Sequence, residues 1–86
     1  MKVSLLYFTG KNCTGCIQMT PIVEQIQKSG VEVKKINRDN DTEGIAKNYQ
    51  VMSVPYILIM KDGIPWSSII GITTKSKIEE AIQKVE

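Results

Sequence analysis

The stretch "FTGKNCTGCIQMTP", residues 8–21, holds both cysteines of the chain, separated by two residues. Before it, "KVSLLYF" (residues 2–8) is an apolar run with β-branched and aromatic residues, typical of a strand buried on both faces. Further along, apolar residues recur every three or four positions, at Met19, Ile22, Val23 and Ile26. This spacing predicts a helix from about Cys13 to Ser29, with a kink at Pro21. The cysteines are therefore expected where the first strand passes into the first helix.

The rest of the chain divides into short elements separated by turn residues. We predict strands over 31–37, 54–60 and 64–71, a helix over Thr42 to Tyr49, and a last helix with Thr74 as its N-cap. Strands joined through a helix are expected to run parallel, and the two strands joined by "KDG" to run antiparallel. The predicted fold class is α/β, in the order β-α-β-α-β-β-α, with a four-stranded mixed sheet and three helices on its faces.

Length and composition exclude several classes of protein. A chain of 86 residues fits one compact domain, which we place at residues 1–86. No apolar run approaches the roughly 18 residues of a membrane helix, and the short N-terminal run lacks the cleavage site of a signal peptide. The net charge of +2 comes from scattered lysines and gives no sign of a nucleic-acid surface. We expect a cytoplasmic protein that binds neither membranes nor nucleic acid.

The cysteine pair admits several interpretations. A zinc site usually takes four ligands, and the chain has no histidine and no third cysteine, so we predict no metal site within one chain. An iron–sulfur cluster bridged between two chains remains open, since two copies would supply four sulfurs. A structural disulfide gains little stability when its loop holds only two residues. Two cysteines that pack as small apolar side chains are a further alternative.

A redox-active pair has a direct physical cause at this position. The first turn of a helix leaves backbone N–H groups without partners and carries partial positive charge, so a sulfur placed there is stabilised as a thiolate. In Cys-X-X-Cys settings the thiol pKa falls to about 3.5–7.5 from about 8.5. Cys13 stands at the helix start and receives this effect most fully. Cys16 follows three residues later, near enough to attack a mixed disulfide on Cys13.

Together these features resemble the thioredoxin superfamily, as a small thioredoxin- or glutaredoxin-like protein with a Cys-Thr-Gly-Cys active site. The similarity extends from Lys2 to Val85. It includes Pro21 five residues after the second cysteine, the segment "SVPYILIMKDG" that is similar to the family's cis-proline strand and hairpin, and Gly71 before the last helix. The resemblance implies a thioredoxin-like fold.

The resemblance also implies a role for individual residues. Cys13 would be the attacking thiolate, Cys16 the resolving thiol, and Pro55 a cis-proline opposite the disulfide. The backbone of Val54 would pair with an extended substrate segment. A shallow apolar rim for substrate docking would be formed by Thr14, Gly15, Ser53, Val54, Gly71 and Ile72, although Gly71 is equally consistent with an ordinary turn.

The chain departs from the family pattern at several positions. Asn12 stands where most thioredoxins have a tryptophan, and Thr14-Gly15 replaces a glycine-proline pair, so the reduction potential does not follow from the resemblance. Tyr7 occupies the place of a buried aspartate that accepts a proton. A phenol with an ordinary pKa near 10 is a poor base, which leaves Lys35, water or the departing thiolate as acceptors and core packing as the alternative role of Tyr7.

We therefore predict a thiol–disulfide oxidoreductase that reduces disulfides in protein substrates. Its cysteines carry the two electrons as a redox-active disulfide, so no bound cofactor is expected. The family implies a thioredoxin reductase or a similar flavoenzyme as electron donor, and we expect a monomer. Three alternatives stay open: a glutathione-dependent glutaredoxin-like enzyme, disfavoured because "IIGITTKSKIEE" lacks the Gly-Gly and aspartate of a glutathione pocket, a binding module with an idle pair, and the bridged cluster.

Overall fold

The computed structural model describes residues 2–85 and contains three α-helices and four strands in the predicted order. The elements, in chain order, are β1 (Val3–Thr9), α1 (Thr14–Lys28), β2 (Glu32–Asn37), a 3₁₀ turn (Arg38–Asn40), α2 (Ile45–Asn48), β3 (Tyr56–Lys61), β4 (Ile64–Ile70) and α3 (Lys75–Val85). The predicted α/β fold with a four-stranded mixed sheet is confirmed.

The strands form one sheet in the order β2-β1-β3-β4. β1 and β2 are parallel, as predicted, and β3 is antiparallel to both β1 and β4. The expectation that every helix-joined pair of strands runs parallel is wrong for β2 and β3. Thr9 pairs with Asn37, and Phe8 pairs with Tyr56, so β2 ends and β3 begins at the same end of the sheet. The connection, whose α2 has four residues, therefore does not have to travel the length of the sheet.

The helices cover the two faces of the sheet unequally. α1 and α3 pack on one face, over a buried cluster of Leu5, Tyr7, Met19, Val23, Ile26, Ile57, Ile59, Ile78, Ile82 and Val85. α2 packs on the other face, over a smaller cluster of Phe8, Ile36, Ala46, Leu58 and Met60. The alternation of side chains along the central strands β1 and β3 supplies both clusters, since neighbouring residues of a strand point to opposite faces. The apolar run at the start of the chain thus forms a strand buried on both sides.

The predicted boundaries are close for α1 and less so for α2. α1 starts one residue later and ends one residue earlier than predicted, with Cys13 as its N-cap, and it runs continuously through Pro21. α2 begins at Ile45 instead of Thr42. The carboxylate of Asp41 accepts hydrogen bonds from the backbone N–H groups of Ile45 (2.8 Å) and Lys47 (3.2 Å), so the residues between form the cap of the helix and not its first turn.

The first residues of β3 and α3 are each explained by the residue that precedes them. β3 begins at Tyr56, two residues later than predicted, because Pro55 has no N–H to donate to a neighbouring strand. α3 begins at Lys75, and the hydroxyl of Thr74 accepts a hydrogen bond from the N–H of Lys77 at 3.2 Å. The prediction of Thr74 as N-cap is confirmed.

The segments that carry the cysteines and Pro55 lie at one end of the sheet. The pairings Thr9–Asn37, Phe8–Tyr56 and Tyr56–Ile70 bring the last residues of β1, β2 and β4 beside the first residue of β3. α1 starts from this end. The opposite end carries the turn between β3 and β4, where Asp62 bonds the backbone of Lys2.

Candidate redox site

Cys13 stands at the N-terminus of α1 in extended backbone conformation, with φ −111° and ψ 99°. Its Sγ accepts a hydrogen bond from the backbone N–H of Cys16 at 3.1 Å, so the sulfur takes the place that a serine or aspartate oxygen holds at other helix starts. The first turn of α1 contains no acidic residue that would offset its partial positive charge. A negative charge on this sulfur is therefore stabilised by the backbone.

The two cysteines are joined by a disulfide, with their Cα atoms 5.2 Å apart. They differ in exposure. Cys13 is half-buried, and Cys16 lies against the core with 5% of its surface exposed. A large molecule approaching from solvent therefore meets the sulfur of Cys13, while Cys16 is placed to react from within.

Pro55 packs directly against the turn between the cysteines. The Val54–Pro55 peptide bond is cis, as the resemblance implies, and Pro55 is buried. A Cβ atom added to Gly15 would lie 3.0 Å from Cδ of Pro55 and 3.3 Å from Cγ1 of Ile72, closer than ordinary carbon contacts. Only glycine fits at this position without movement of its neighbours.

The remaining predicted rim residues lie around this contact. The N–H of Gly71 donates to the carbonyl of Pro55 at 2.9 Å, with Gly71 at φ +87°, a conformation that glycine adopts without strain. Ser53 is exposed and Val54 half-buried, immediately before Pro55. The structure thus brings Gly15, Pro55, Gly71 and Ile72 together, with Thr14 exposed on the first turn of the helix.

An open cavity of about 620 Å³ lies beside the disulfide. Both cysteines line it, together with Asn12, Thr14 and Ile17 next to them in the chain and Lys35 from β2. Lys35 is its one charged lining residue among those described. The exposed side chain of Ile17, 74% accessible, lies at this cavity, and Ile72, 60% accessible, lies at Gly15 on the other side of the motif. The disulfide is therefore bordered by apolar surface and one lysine.

Tyr7 lies beneath the site as a buried core residue that keeps its proton. Its hydroxyl group lies 3.1 Å from the carbonyl oxygen of Cys16 and 3.0 Å from Oγ1 of Thr20, which itself donates to the same carbonyl at 2.8 Å. Burial raises the pKa of Tyr7, the hydrogen bond with Thr20 opposes this, and the charge of Glu24 raises it further. A phenol with a raised pKa is protonated at neutral pH, so Tyr7 supports the backbone of Cys16.

The position of Lys35 follows from the register of the sheet. Lys35 pairs with Tyr7 across β1 and β2, so both side chains lie on the face covered by α1. Lys35 is exposed and lines both the disulfide cavity and a smaller cavity of about 80 Å³ next to Tyr7 and Thr20. Both predicted proton-transfer candidates are thus near the cysteines, although only Lys35 faces the cavity that holds them.

Several residues at the site were missed by the sequence predictions. Thr20 bonds Cys16 from one turn further along α1. Asp39 bonds the backbone of Lys11 in the loop before Cys13, and Arg38 bonds the carbonyl of Met52 in the loop before Pro55. A polar turn such as "NRDN" carries no periodic signal, so nothing in the sequence alone indicates which loops it contacts.

The described residues show neither a metal cluster nor a membrane span. Among residues 2–85, no three or more histidine, cysteine or acidic side chains lie together in a way that would hold a metal ion. No helix in the same part of the chain is both long enough and apolar enough to cross a bilayer.

A disulfide at the N-terminus of a helix, facing a cis-proline in a four-stranded mixed sheet, defines a protein of the thioredoxin-fold class. The chain belongs to the thioredoxin family, whose sequence model matches residues 1–84. This family works through a redox-active disulfide and needs no bound cofactor.

Individual thioredoxins are similar over most of the chain. The M-type chloroplastic thioredoxin of Spinacia oleracea is 36% identical over 75 residues, which cover 84% of this chain and 41% of the spinach protein. A thioredoxin of Staphylococcus aureus is 28% identical over 85 residues, which cover 95% of this chain and 81% of that protein. The chain thus spans less than half of the spinach protein and about four fifths of the bacterial one.

Solved structures of thioredoxins have the same fold. A single-site mutant of the thioredoxin from Halobacterium salinarum superimposes with a TM-score of 0.88 at 25% identity, over 98% of this chain and 74% of that chain. Fasciola hepatica thioredoxin superimposes with a TM-score of 0.86 at 26% identity, over 99% of this chain and 82% of that chain.

Proposed function

We propose that this protein is a thiol–disulfide oxidoreductase that reduces disulfides in protein substrates. The observation that carries the proposal is the unequal placement of two sulfurs at one helix start. Cys13 caps the helix and reaches solvent, whereas Cys16 is buried one turn along. A structural disulfide would not need this asymmetry, but an exchange reaction does, because one sulfur meets the substrate and the other completes the reaction.

The reaction begins with the reduced protein. The thiolate of Cys13 attacks one sulfur of a substrate disulfide, which forms a mixed disulfide and releases the other substrate sulfur as a thiolate. The sulfur of Cys16, after loss of its proton, attacks Cys13 Sγ and displaces the second substrate sulfur. The substrate leaves with two thiols, and the protein is left with the Cys13–Cys16 disulfide. Two electrons have moved from the protein to the substrate.

The segment before Pro55 would hold the substrate during these steps. Val54 stands next to the motif, and its backbone would pair with an extended substrate segment in the manner of an added strand. The exposed apolar side chains at the cavity would cover the substrate disulfide and exclude water from it. Ser53, Thr14, Gly15, Gly71 and Ile72 would form the rim.

The proton of Cys16 needs an acceptor. Tyr7 is unsuited at neutral pH, since its pKa is raised and its hydroxyl contacts the carbonyl of Cys16. The thiolate released in the first step is a suitable acceptor, because it forms beside the site and its conjugate thiol has a pKa near 8.5 in ordinary surroundings. Water in the cavity that Lys35 lines would carry the proton between them.

The oxidised protein needs an electron donor for its next turnover. We infer a thioredoxin reductase or a similar flavoenzyme, acting on a monomer in the cytoplasm, where a reducing environment favours catalytic over structural cysteine pairs. No specific feature of the site favours glutathione as the donor.

The function is tested with prereduced protein and insulin, whose disulfides serve as the protein substrate. Cys13→Ser should abolish reduction, because no thiolate reaches the substrate. Cys16→Ser should retain the first step and accumulate a mixed disulfide at Cys13, detected by intact mass. The two variants are matched controls, since each removes one sulfur from the same turn. A Cys16→Ser protein that forms no mixed disulfide would exclude the function and favour an idle binding module. So would insulin reduction by dithiothreitol that runs no faster with the unaltered protein than without it.

A further inference from the structure

Three loops meet beside the disulfide, and one short turn bonds to both of the others. The first loop, residues 10–12, leads into Cys13. The second, residues 52–54, leads into Pro55. The third is the 3₁₀ turn Arg38–Asn40, which follows β2. Because the first two loops present the reacting sulfur and the substrate-pairing backbone, their relative position decides whether a bound substrate disulfide faces Cys13.

Asp39 bonds the loop that carries Cys13. Its Oδ2 accepts a hydrogen bond from the backbone N–H of Lys11 at 2.7 Å, a short distance that is typical of a bond to a charged acceptor. Asp39 is itself held in place, since its own N–H donates to Oδ1 of Asn37 at 2.9 Å. This loop includes Asn12 at φ +54°, in the left-handed region that asparagine adopts more readily than most residues other than glycine. The contact therefore supports a tight turn directly before the reactive cysteine.

Arg38, the adjacent residue, bonds the loop that carries Pro55. Its Nη1 donates to the backbone carbonyl of Met52 at 3.0 Å. Met52 lies two residues before Val54. Its side chain is exposed and therefore does not anchor this loop in the core. The guanidinium bond therefore ties this loop to the turn that follows β2.

The two bonds act across a tight contact between the loops. A Cβ atom on Gly10 would lie 3.2 Å from Oδ2 of Asp39, 3.2 Å from Cγ2 of Val54 and 3.4 Å from Nε of Arg38. The two loops and the turn therefore lie so close together at Gly10 that a side chain there would press on all three.

We propose that Arg38 and Asp39 are positioning residues that hold the substrate-pairing loop and the cysteine loop in register for disulfide exchange. The side chains act on different loops. Arg38 sets the segment that would pair with an extended polypeptide, and Asp39 sets the segment that presents Cys13. Since both concern disulfide exchange at Cys13, this role rests on the function proposed above.

Because Arg38 and Asp39 act on different loops, their replacement should affect different reactions. Arg38→Ala should slow the second-order reaction of the reduced protein with insulin about 3- to 10-fold, the range that corresponds to the loss of one hydrogen bond. Its reaction with 5,5′-dithiobis(2-nitrobenzoate), a small disulfide without a peptide backbone, should be unchanged within about 2-fold. Asp39→Ala should slow both reactions, because it loosens the loop that carries the thiolate.

Conservative variants and a distant control complete the test. Arg38→Lys keeps a cationic donor for the Met52 carbonyl, and Asp39→Asn keeps an oxygen acceptor for the Lys11 N–H, so each should recover more than half of the lost rate. Lys28→Ala removes a positive charge at the far end of α1 and should leave both rates unchanged. Urea unfolding of each variant confirms that the rates are those of folded protein.

The outcomes separate the two proposals. The positioning role would be overturned if Arg38→Ala slowed both reactions by the same factor, or slowed neither, relative to the unaltered protein. It would also be overturned if Asp39→Ala reacted at native rates. If the unaltered protein reduces neither disulfide, the proposed function itself fails. Native reduction of both disulfides by all variants would leave that function intact and remove the role of the turn.

Discussion

Replacing Gly15 by alanine would test how rigidly the cysteine motif is held against Pro55. In an ordinary helix position this change stabilises a protein by about 0.5–1 kcal/mol, because glycine loses more backbone freedom on folding. Here the new Cβ would lie 3.0 Å from Cδ of Pro55, where carbon atoms normally stay about 3.5–4.0 Å apart. The start of α1 or Pro55 must therefore withdraw by a few tenths of an ångström.

The overpacking should outweigh the gain in helix propensity. Insertion of a methyl group into a packed site costs about 1–3 kcal/mol, and Pro55 has little freedom to move, since it is buried and its carbonyl is bonded to Gly71. We expect a net loss of about 1 kcal/mol in the free energy of unfolding. For a domain of this size the loss corresponds to a fall of about 4–8 °C in Tm.

Urea unfolding of the disulfide form, followed by far-UV circular dichroism, measures the change. Gln18→Ala is the matched control, because Gln18 is an exposed residue of the same helix and its replacement adds no atom to a packed site. It should leave stability within about 0.5 kcal/mol of the native value. A Gly15→Ala protein that is more stable than native would show that the contact with Pro55 yields freely, and would refute the reasoning.

Two further predictions concern the groups around the motif. Tyr7→Phe should cost about 0.5–1.5 kcal/mol at neutral pH through the lost hydroxyl contacts. Because burial raises the pKa of Tyr7 in the folded state, the native disulfide form should lose unfolding free energy more steeply than this variant above about pH 10; parallel pH curves would contradict this. Gly71→Ala should cost about 1–2 kcal/mol, because φ is +87° there and no neighbouring atom is near enough to add a clash. An unchanged urea midpoint would refute that estimate.

Local patterns were sufficient to predict most of the elements and the place of the cysteines. The apolar run of β1 and the three- and four-residue spacing of α1 both reflect burial against one core, so the junction that holds Cys13 could be located from sequence. The N-cap Thr74 was likewise predicted, since its bond joins residues three apart in the chain. The start of α2 was not, because Asp41 caps it from four residues upstream and a polar run gives no boundary.

Contacts between distant parts of the chain could not be predicted from local patterns. The direction of β3 depends on which end of the sheet the connection from β2 reaches. The rule that strands joined through a helix run parallel therefore predicted the wrong direction for β3. The cis bond at Pro55 was expected only from family resemblance, because most such bonds are trans. The bonds from Arg38 to Met52 and from Asp39 to Lys11 join segments with no shared periodicity. These contacts appear only when the loops are placed in three dimensions.

The strand ends gathered around the disulfide place the redox site at one pole of the molecule, with the turn between β3 and β4 at the other pole. α3 begins beside the motif and extends about 16 Å away from it, at 1.5 Å for each of its 11 residues, so Lys84 in its last turn lies at that pole. Because the chain has nine other lysines, amine coupling would not select Lys84, and a fluorophore or a solid support would have to be attached by a chemistry confined to position 84. Attachment at that single position suits oriented immobilisation, in which the reactive sulfur of every molecule faces the solution.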